Sequence, residues 1–89
     1  MVINKVAQAG TSETSDTLIM VSPNPEGGIK LDLDGKKVLL KLFGKQIEKV
    51  IRDTITEVGV EDIVVNAKYN GALDYTIRAR VKAAIERAI

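Results

Sequence analysis

A change of hydrophobic period at residue 38 constrains the fold more than any other feature of this chain. From residue 38 to 58, apolar side chains recur at spacings of three and four, as they do in an amphipathic helix. Gly59 follows where a left-handed C-cap residue belongs, so we expect the helix to end there. Gly44 weakens its first turns by roughly 1 kcal/mol relative to alanine. The apolar face consists of Phe43, Ile47, Val50, Ile51, Thr54, Ile55 and Val58.

Two short runs before this helix have the pattern of strands. Residues 16–23 are β-branched and end at Pro23, and residues 28–35 alternate strictly between apolar and polar. The intervening residues 24–28 contain Asn, Pro and two glycines, which is turn chemistry. We therefore expect the two runs to pair as an antiparallel hairpin.

After the helix, residues 61–68 predict a third strand, and the alternation in residues 69–80 predicts a fourth. Asn70-Gly71 lies at the start of the fourth run and is the strongest short hairpin signal. Helical spacing returns in residues 80–89. A single helix from Gly71 to the end is the alternative interpretation.

These elements predict a single α+β domain in the order β-β-α-β-β-α. Its antiparallel sheet would be covered on one face by two helices, because strands with one apolar face must be buried. Residues 1–15 lack periodicity and are expected to form a flexible N-terminal arm, and residues 16–89 the folded domain.

The composition excludes several functions. The chain has no cysteine and no histidine, so disulfides, zinc or iron–sulfur sites, and Cys or Ser–His nucleophilic catalysis are ruled out. With 13 basic and 12 acidic residues and only 3% aromatics, it favours neither nucleic acid nor an anionic membrane. No signal peptide or membrane span is recognisable, which predicts a cytoplasmic protein. Without histidine or cysteine, and with carboxylates mostly at solvent-facing positions, the chain is expected to have no catalytic residues of its own.

One polar segment calls for a functional interpretation. Residues 10–17 precede an apolar run and carry five hydroxyl groups together with two acids. A solvated loop would explain them, since such side chains bond to nearby backbone. An accessible segment of this kind is also suited to covalent modification by another enzyme, and a kinase phosphosite would have the same features. The hydroxyl residues are Thr11, Ser12, Thr14, Ser15 and Thr17.

Three segments of the chain match the motifs of one known family. "AGTSETSD" at 9–16 is similar to that family's motif Ala-Gly-Thr-(any)-Glu-Ser-(Ser or Gly)-Asp. "LFGKQI" at 42–47 resembles Gln-Phe-Gly-x-x-Ile, and "NGALDYTIRARVKAAIERA" at 70–88 resembles the family's ending. The matches occur in the family's order and cover nearly the whole chain, so the protein resembles the citrate lyase acyl carrier family, the gamma subunit of bacterial citrate lyase.

The resemblance implies a non-catalytic carrier. In the family, a serine of the first motif bears 2'-(5''-phosphoribosyl)-3'-dephospho-coenzyme A through a phosphodiester, and its terminal thiol carries acetyl or citryl. The implied partners are the alpha subunit (acyl transferase), the beta subunit (acyl lyase), which together cleave citrate to acetate and oxaloacetate, and the holo-carrier synthase. Carriers of citramalate lyase or malonate decarboxylase are close variants.

This sequence departs from the motif at the modified position, where Thr14 replaces serine. Thr14 is the aligned attachment residue, Ser15 is the alternative through a one-residue shift, and Ser12 comes third. An inactive site is a further possibility. Thr11 is expected to shape the loop rather than to be modified.

Arg78 and Arg80 are expected to share one strand face, where they could contact a cofactor phosphate, with Lys82 nearby. A solvated basic face is the simpler explanation. A function of another class also stays open: a non-acylated module that binds partner proteins through its sheet edge or helix face. A phosphorylated regulatory protein would use the same N-terminal segment.

Overall fold

A computed structural model describes all 89 residues and shows a four-stranded mixed sheet with two helices, which confirms the α+β class. The elements follow the order β-β-β-α-β-α, so the predicted order β-β-α-β-β-α is wrong in two places. They are β1 (Ala7–Gly10), β2 (Asp16–Ser22), β3 (Ile29–Gly35), α1 (Lys37–Glu57), β4 (Ile63–Asn70) and α2 (Asp74–Ala88).

The sheet has the order β1-β2-β4-β3, with β4 between the two strands that the sequence predicted to pair. β2 runs antiparallel to β4, and β3 runs parallel to it because α1 forms the crossover between them. The expected hairpin of residues 16–23 and 28–35 and the fully antiparallel sheet are therefore wrong. β4 buries alternate residues from Ile63 to Tyr69, and this apolar face stabilises it as a central strand with two neighbours.

Residues 69–80 do not form the separate strand that the sequence predicted after residues 61–68, and Asn70-Gly71 does not form a hairpin turn. β4 ends at Asn70, Gly71 has a φ of +89°, and α2 begins at Asp74. The helix forms because its apolar residues at helical spacing are buried in the core, whereas Leu73 and Tyr75 are exposed. The alternative of one C-terminal helix is thus close to the structure. The buried residues of α2 are Ile77, Val81, Ala84, Ile85 and Ala88.

Strand β1 was not predicted, because residues 7–10 are too few to show a period. It pairs antiparallel with β2, and Ala9 and Ile3 are buried. The amides of Asn4 and Lys5 donate hydrogen bonds to the Ala88 carbonyl at 2.8 and 3.2 Å. The N-terminal residues therefore contact both the sheet and the end of α2. The flexibility predicted for residues 1–15 stays a prediction.

The predicted end of α1 is confirmed in detail. Gly59 has a φ of +80°, and its amide donates to the Thr56 carbonyl at 3.1 Å. The Val60 amide donates to the Ile55 carbonyl at 3.2 Å, and both of these side chains are buried. This arrangement is a Schellman motif, which satisfies carbonyls that the end of the helix would otherwise leave unpaired. Neither helix is long and apolar enough to cross a membrane.

Candidate attachment loop

The hydroxyl-rich segment forms the connection of a β1–β2 hairpin, which we call the hydroxyl loop (residues 11–15). Gly10 precedes it with a φ of +90°, and a Cβ at this position would overlap the Thr17 carbonyl oxygen. Ser15 closes it with a φ of +66°, the left-handed conformation that few residues other than glycine adopt. The loop therefore needs glycine at its start and includes a strained serine at its end.

Asp16 is the principal anchor of the hydroxyl loop. Its Oδ2 accepts hydrogen bonds from the Thr11 amide at 3.1 Å and the Thr11 hydroxyl at 2.7 Å. Its Oδ1 accepts from the Thr17 amide at 2.7 Å. Arg80 of α2 donates two hydrogen bonds to the same carboxylate, from Nε to Oδ1 at 3.1 Å and from Nη2 to Oδ2 at 3.2 Å. One carboxylate thus joins both sides of the hairpin to the helix beneath.

These contacts also set the ionisation of Asp16. The hydrogen bond from Arg80 and then that from Thr11 lower the pKa of the Asp16 carboxyl from 3.8 to about 2, although desolvation acts in the opposite direction. The carboxylate is consequently charged at neutral pH, and the bidentate contact with Arg80 has the geometry of a strong charge-assisted pair.

Asn70, at the end of β4, is the second anchor. Its side-chain Nδ2 donates to the Ser12 carbonyl at 3.0 Å, and its own carbonyl accepts the Ser15 amide at 2.7 Å. The Asp16 amide donates to the Glu13 carbonyl at 3.1 Å, which closes a turn over residues 13–16. The backbone of the hydroxyl loop is therefore held along its length.

The five hydroxyl groups separate into two sets. The Thr11 hydroxyl is bonded to Asp16, and the buried Thr17 hydroxyl donates to the Lys68 carbonyl at 2.9 Å. The other three hydroxyls make no hydrogen bond within the protein and belong to exposed residues. This set contains both predicted attachment residues and the third choice, namely Thr14, Ser15 and Ser12.

The expectation that Arg78 and Arg80 share a strand face is wrong, because both belong to α2. Residues two apart on a helix point about 200° apart. Arg80 reaches the hydroxyl loop, whereas Arg78 lies 3.8 Å from Glu57, which is also 3.7 Å from Lys82. Contact of Arg78 or Arg80 with a cofactor phosphate stays a prediction.

Sequence reasoning missed the Asp16–Arg80 pair and the role of Asn70. Arg80 is 64 residues from Asp16 along the chain, so no local pattern could connect them. The helical spacing of Ile77, Val81 and Ala84 was the available signal, because it places Arg80 on a helix rather than on a strand.

Comparison with known proteins identifies the class. An α+β domain with a fixed loop of free hydroxyls is compatible with a carrier that another enzyme modifies. Residues 4–88 match the acyl carrier (ACP) family model described as "Malonate decarboxylase delta subunit (MdcD)", and the chain belongs to this family. Membership implies, in general terms, an acyl carrier with a covalently attached prosthetic group.

The relatives are consistent with this assignment. The citrate lyase acyl carrier protein of Halothermothrix orenii is 46% identical over 88 residues, covering 99% of this chain and 90% of the relative. That of Fusobacterium nucleatum is 44% identical, covering 99% and 92%. A chain of a Pseudomonas malonate decarboxylase hetero-tetramer shares the fold, with a TM-score of 0.69 at 11% identity, covering 100% of this chain and 89% of that one.

Proposed function

We propose that this protein is the acyl carrier subunit of a bacterial citrate lyase complex in the cytoplasm. The observation that carries the proposal is the pair of exposed hydroxyls, at Thr14 and Ser15, on a backbone held by Asp16 and Asn70. Relatives named citrate lyase acyl carrier proteins, at 44–46% identity over nearly the full chain, support citrate as the substrate. The malonate decarboxylase chain has only 11% identity and supports the fold alone.

Thr14 is the proposed attachment residue, and Ser15 is the alternative. During attachment, the hydroxyl oxygen would form a bond to phosphorus while the donor's leaving group departs. The hydroxyl proton would pass to a base of the modifying synthase, since this chain has no histidine or cysteine. The additional methyl group of Thr14 crowds the oxygen, so a serine at this position should react at least as readily.

The proposed group is 2'-(5''-phosphoribosyl)-3'-dephospho-coenzyme A, and it would supply the thiol that carries acetyl or citryl as a thioester. The residues of this chain would provide attachment and presentation. Asp16 and Arg80 anchor the loop to α2, and the exposed side chains leave space for a bulky substituent. The tether would raise the local concentration of the thioester at partner active sites to the millimolar range.

The proposed partners are the alpha subunit, which would exchange acetyl for citryl, and the beta subunit, which would cleave the citryl carrier to oxaloacetate. The holo-carrier synthase would act first. The carrier itself would be non-catalytic, because neither Thr14 nor Ser15 hydrogen-bonds to a side chain that could act as a general base.

Intact-mass measurement on protein from its own bacterium tests the proposal. We expect a mass increase equal to one phosphoribosyl dephospho-coenzyme A group, and fragmentation should place it on Thr14. Thr14→Ala should abolish loading, Thr14→Ser should retain it, and Ser15→Ala should load as the wild type does. The opposite result for the two alanine variants would move the attachment to Ser15.

A bare wild-type chain, from cells in which the synthase is active, would contradict the carrier function. A gain of only a phosphate would instead support a regulatory phosphoprotein. Protein from a host without the maturation enzymes serves as the unmodified mass reference. The Ser12→Ala variant is the matched control, because Ser12 is also exposed and without a side-chain hydrogen bond.

A further inference from the structure

Three exposed hydroxyls lie close together in the hydroxyl loop, so an enzyme that modifies only one of them must distinguish it from the other two. They belong to Ser12, Thr14 and Ser15, and none of them forms a hydrogen bond within the protein. Residue type alone would favour the two serines, because the extra methyl group of Thr14 crowds its oxygen. The backbone that carries the three side chains is where they differ.

Thr14 and Ser15 are the two central residues of the turn over residues 13–16, which the bond from the Asp16 amide to the Glu13 carbonyl closes. Ser15 has a φ of +66° and is the one residue other than glycine with a positive φ. A positive φ at the third position alone is the pattern of a type II turn, which usually has glycine there. Ser15 therefore adopts an unfavourable conformation, and such conformations persist where the surrounding structure imposes them.

Asn70 contacts the hydroxyl loop on both sides of Thr14. Its side-chain Nδ2 donates to the Ser12 carbonyl at 3.0 Å, and its backbone carbonyl accepts the Ser15 amide at 2.7 Å. Glu13 and Thr14 lie between these two fixed points. A one-residue shift of the loop would break both hydrogen bonds, so Asn70 determines which residue comes before the left-handed position.

Asn70 itself belongs to a well-held part of the molecule. It is the last residue of β4, which has β2 and β3 as neighbours in the sheet, and its register partner in β2 is Asp16. Gly71 continues the contact, because a Cβ built on it would be 3.8 Å from the Ser15 backbone. The position of the turn is therefore tied to the centre of the sheet.

We propose that Asn70 is a positioning residue that directs loading to Thr14, because it fixes Ser12 and Ser15 on either side of it. The inference rests on the proposed function and adds to it the reason why one of three free hydroxyls is used. Asn70 bonds to backbone groups beside Thr14 and not to its hydroxyl, so it acts through position alone.

The loading step shows why position matters. The hydroxyl oxygen forms a bond to the phosphorus of a phosphoric anhydride donor, the bond from that phosphorus to the departing phosphate chain breaks, and the hydroxyl proton passes to a base of the synthase. The oxygen must lie in line with the bond that breaks, and a displacement of about 1 Å can slow such a reaction about a hundredfold. A loop that is free to shift would bring the other hydroxyls to the same place.

Fragmentation mass spectrometry of full-length variants matured in the protein's own bacterium tests the inference. In the wild type, the group should occupy Thr14 alone. Asn70→Ala loses the bond to Ser12, and at least about one tenth of its loaded chains should carry the group on Ser12 or Ser15. Asn70→Asp should give a similar distribution, because a carboxylate of the same size cannot donate to the Ser12 carbonyl.

Asn66→Ala is the matched control. Asn66 is the same residue type on the same strand, opposite Met20 and Asp32 and away from the hydroxyl loop, so this variant should load Thr14 alone. Urea unfolding of each variant checks that the chain is folded.

A second pair of variants tests the turn. Ser15→Gly and Ser15→Val both lack the hydroxyl, but glycine adopts a φ of +66° readily, whereas a β-branched residue does so only under strain. With purified synthase and its donor, Ser15→Gly should load Thr14 at least about tenfold faster than Ser15→Val does.

Three results would overturn the inference. One is loading of Thr14 alone in both Asn70 variants, which would show that the synthase distinguishes the hydroxyls without this contact. Another is an equal loading rate in Ser15→Gly and Ser15→Val, and the third is a wild-type chain loaded on Ser15. In all three the wild type is loaded, so the carrier function stands. Failure of the proposed function would appear differently, as a wild-type chain that is bare.

Discussion

Two loops of this protein connect strands by opposite means. In the glycine loop (residues 23–28), Asn24 donates its side-chain amide to the carbonyls of Gly27 and Gly28, and its Oδ1 accepts the Glu26 amide. The loop is held mainly by its own side chain, with two outside contacts at Gly28: its amide donates to Asp62 Oδ1 at 2.9 Å, and its carbonyl accepts the Ile63 amide at 3.0 Å.

In the hydroxyl loop, most of the holding groups lie outside the loop. Asp16, Asn70 and Arg80 belong to β2, β4 and α2, and Thr11 is the one loop residue whose side chain holds backbone. Because outside residues fix the backbone, the side chains of the loop are left available. The difference shows how a short loop can be fixed in position and still present exposed hydroxyl groups.

The largest expected effect comes from glycine replacement. Gly10→Ala should lower the free energy of unfolding by about 3 kcal/mol or more, because the Cβ would overlap the Thr17 carbonyl in addition to adopting a left-handed φ. A Cβ at Gly28 would have no atom within 4 Å, so Gly28→Ala, at a φ of +83°, should lower the free energy of unfolding by only about 1 kcal/mol. Urea unfolding of both variants makes the comparison, and equal losses would contradict it.

The next effect concerns the outside anchor. Asp16→Asn should lower the free energy of unfolding by about 2 kcal/mol at neutral pH, because it removes a charged acceptor from Arg80 and Thr11. Asp62→Asn, at the one outside side chain that bonds to the glycine loop, should lower the free energy of unfolding by less than about 1 kcal/mol. Similar losses in the two variants would show that the loops are held alike.

The same anchor predicts an acid dependence. The pKa of Asp16 is about 2 in the folded protein and 3.8 ordinarily. The ionised carboxylate therefore stabilises the folded state above about pH 4, and this stabilisation is lost as the pH falls towards 2. It should amount to about 1–2 kcal/mol, since Arg80 is 40% exposed and solvent screens the pair. Unfolding of the wild type and Asp16→Asn between about pH 7 and pH 2 should show their difference shrinking with acid.

A smaller effect distinguishes Asn70, which bonds to the hydroxyl loop, from Asn24, which bonds within the glycine loop. Replacing either residue with alanine should lower the free energy of unfolding by about 1 kcal/mol, because hydrogen bonds are lost. Asn70→Ala should speed hydrogen exchange of the Ser15 and Asp16 amides, whereas Asn24→Ala should speed exchange of the Gly27 amide. If either variant sped amide exchange in both loops, the conclusion that each loop is stabilised by its own set of contacts would be contradicted.

The smallest effect is expected for the proposed attachment residues. Thr14→Ala and Ser15→Ala should each change the free energy of unfolding by less than about 0.5 kcal/mol, because neither hydroxyl bonds to the protein. Thr11→Ala is the matched control and should cost about 1 kcal/mol, since its hydroxyl joins Asp16 to the Glu13 amide. If Thr14→Ala lowered the free energy of unfolding as much as Thr11→Ala does, the distinction between hydroxyls that stabilise the loop and hydroxyls that are free would be contradicted.

Local pattern predicted much of the fold. The apolar spacing and Gly59 placed α1 and its C-terminal end correctly, because the helix period and the left-handed cap depend on nearby residues. The prediction failed at the second hairpin, where Leu73 and Tyr75 imitated strand alternation although both are exposed. This segment forms a helix because helical spacing buries Ile77 and Val81 in the core, and burial depends on the tertiary structure.

The sequence by itself determined which chemistry this chain lacks and where its hydroxyls gather, since both depend only on residue type and order. The tertiary structure decided that β4 separates β2 from β3, and that Asn70 and Arg80 meet the hydroxyl loop. Strand partners and contacts over 58 to 64 residues arise from shared burial of distant segments, which no local pattern records.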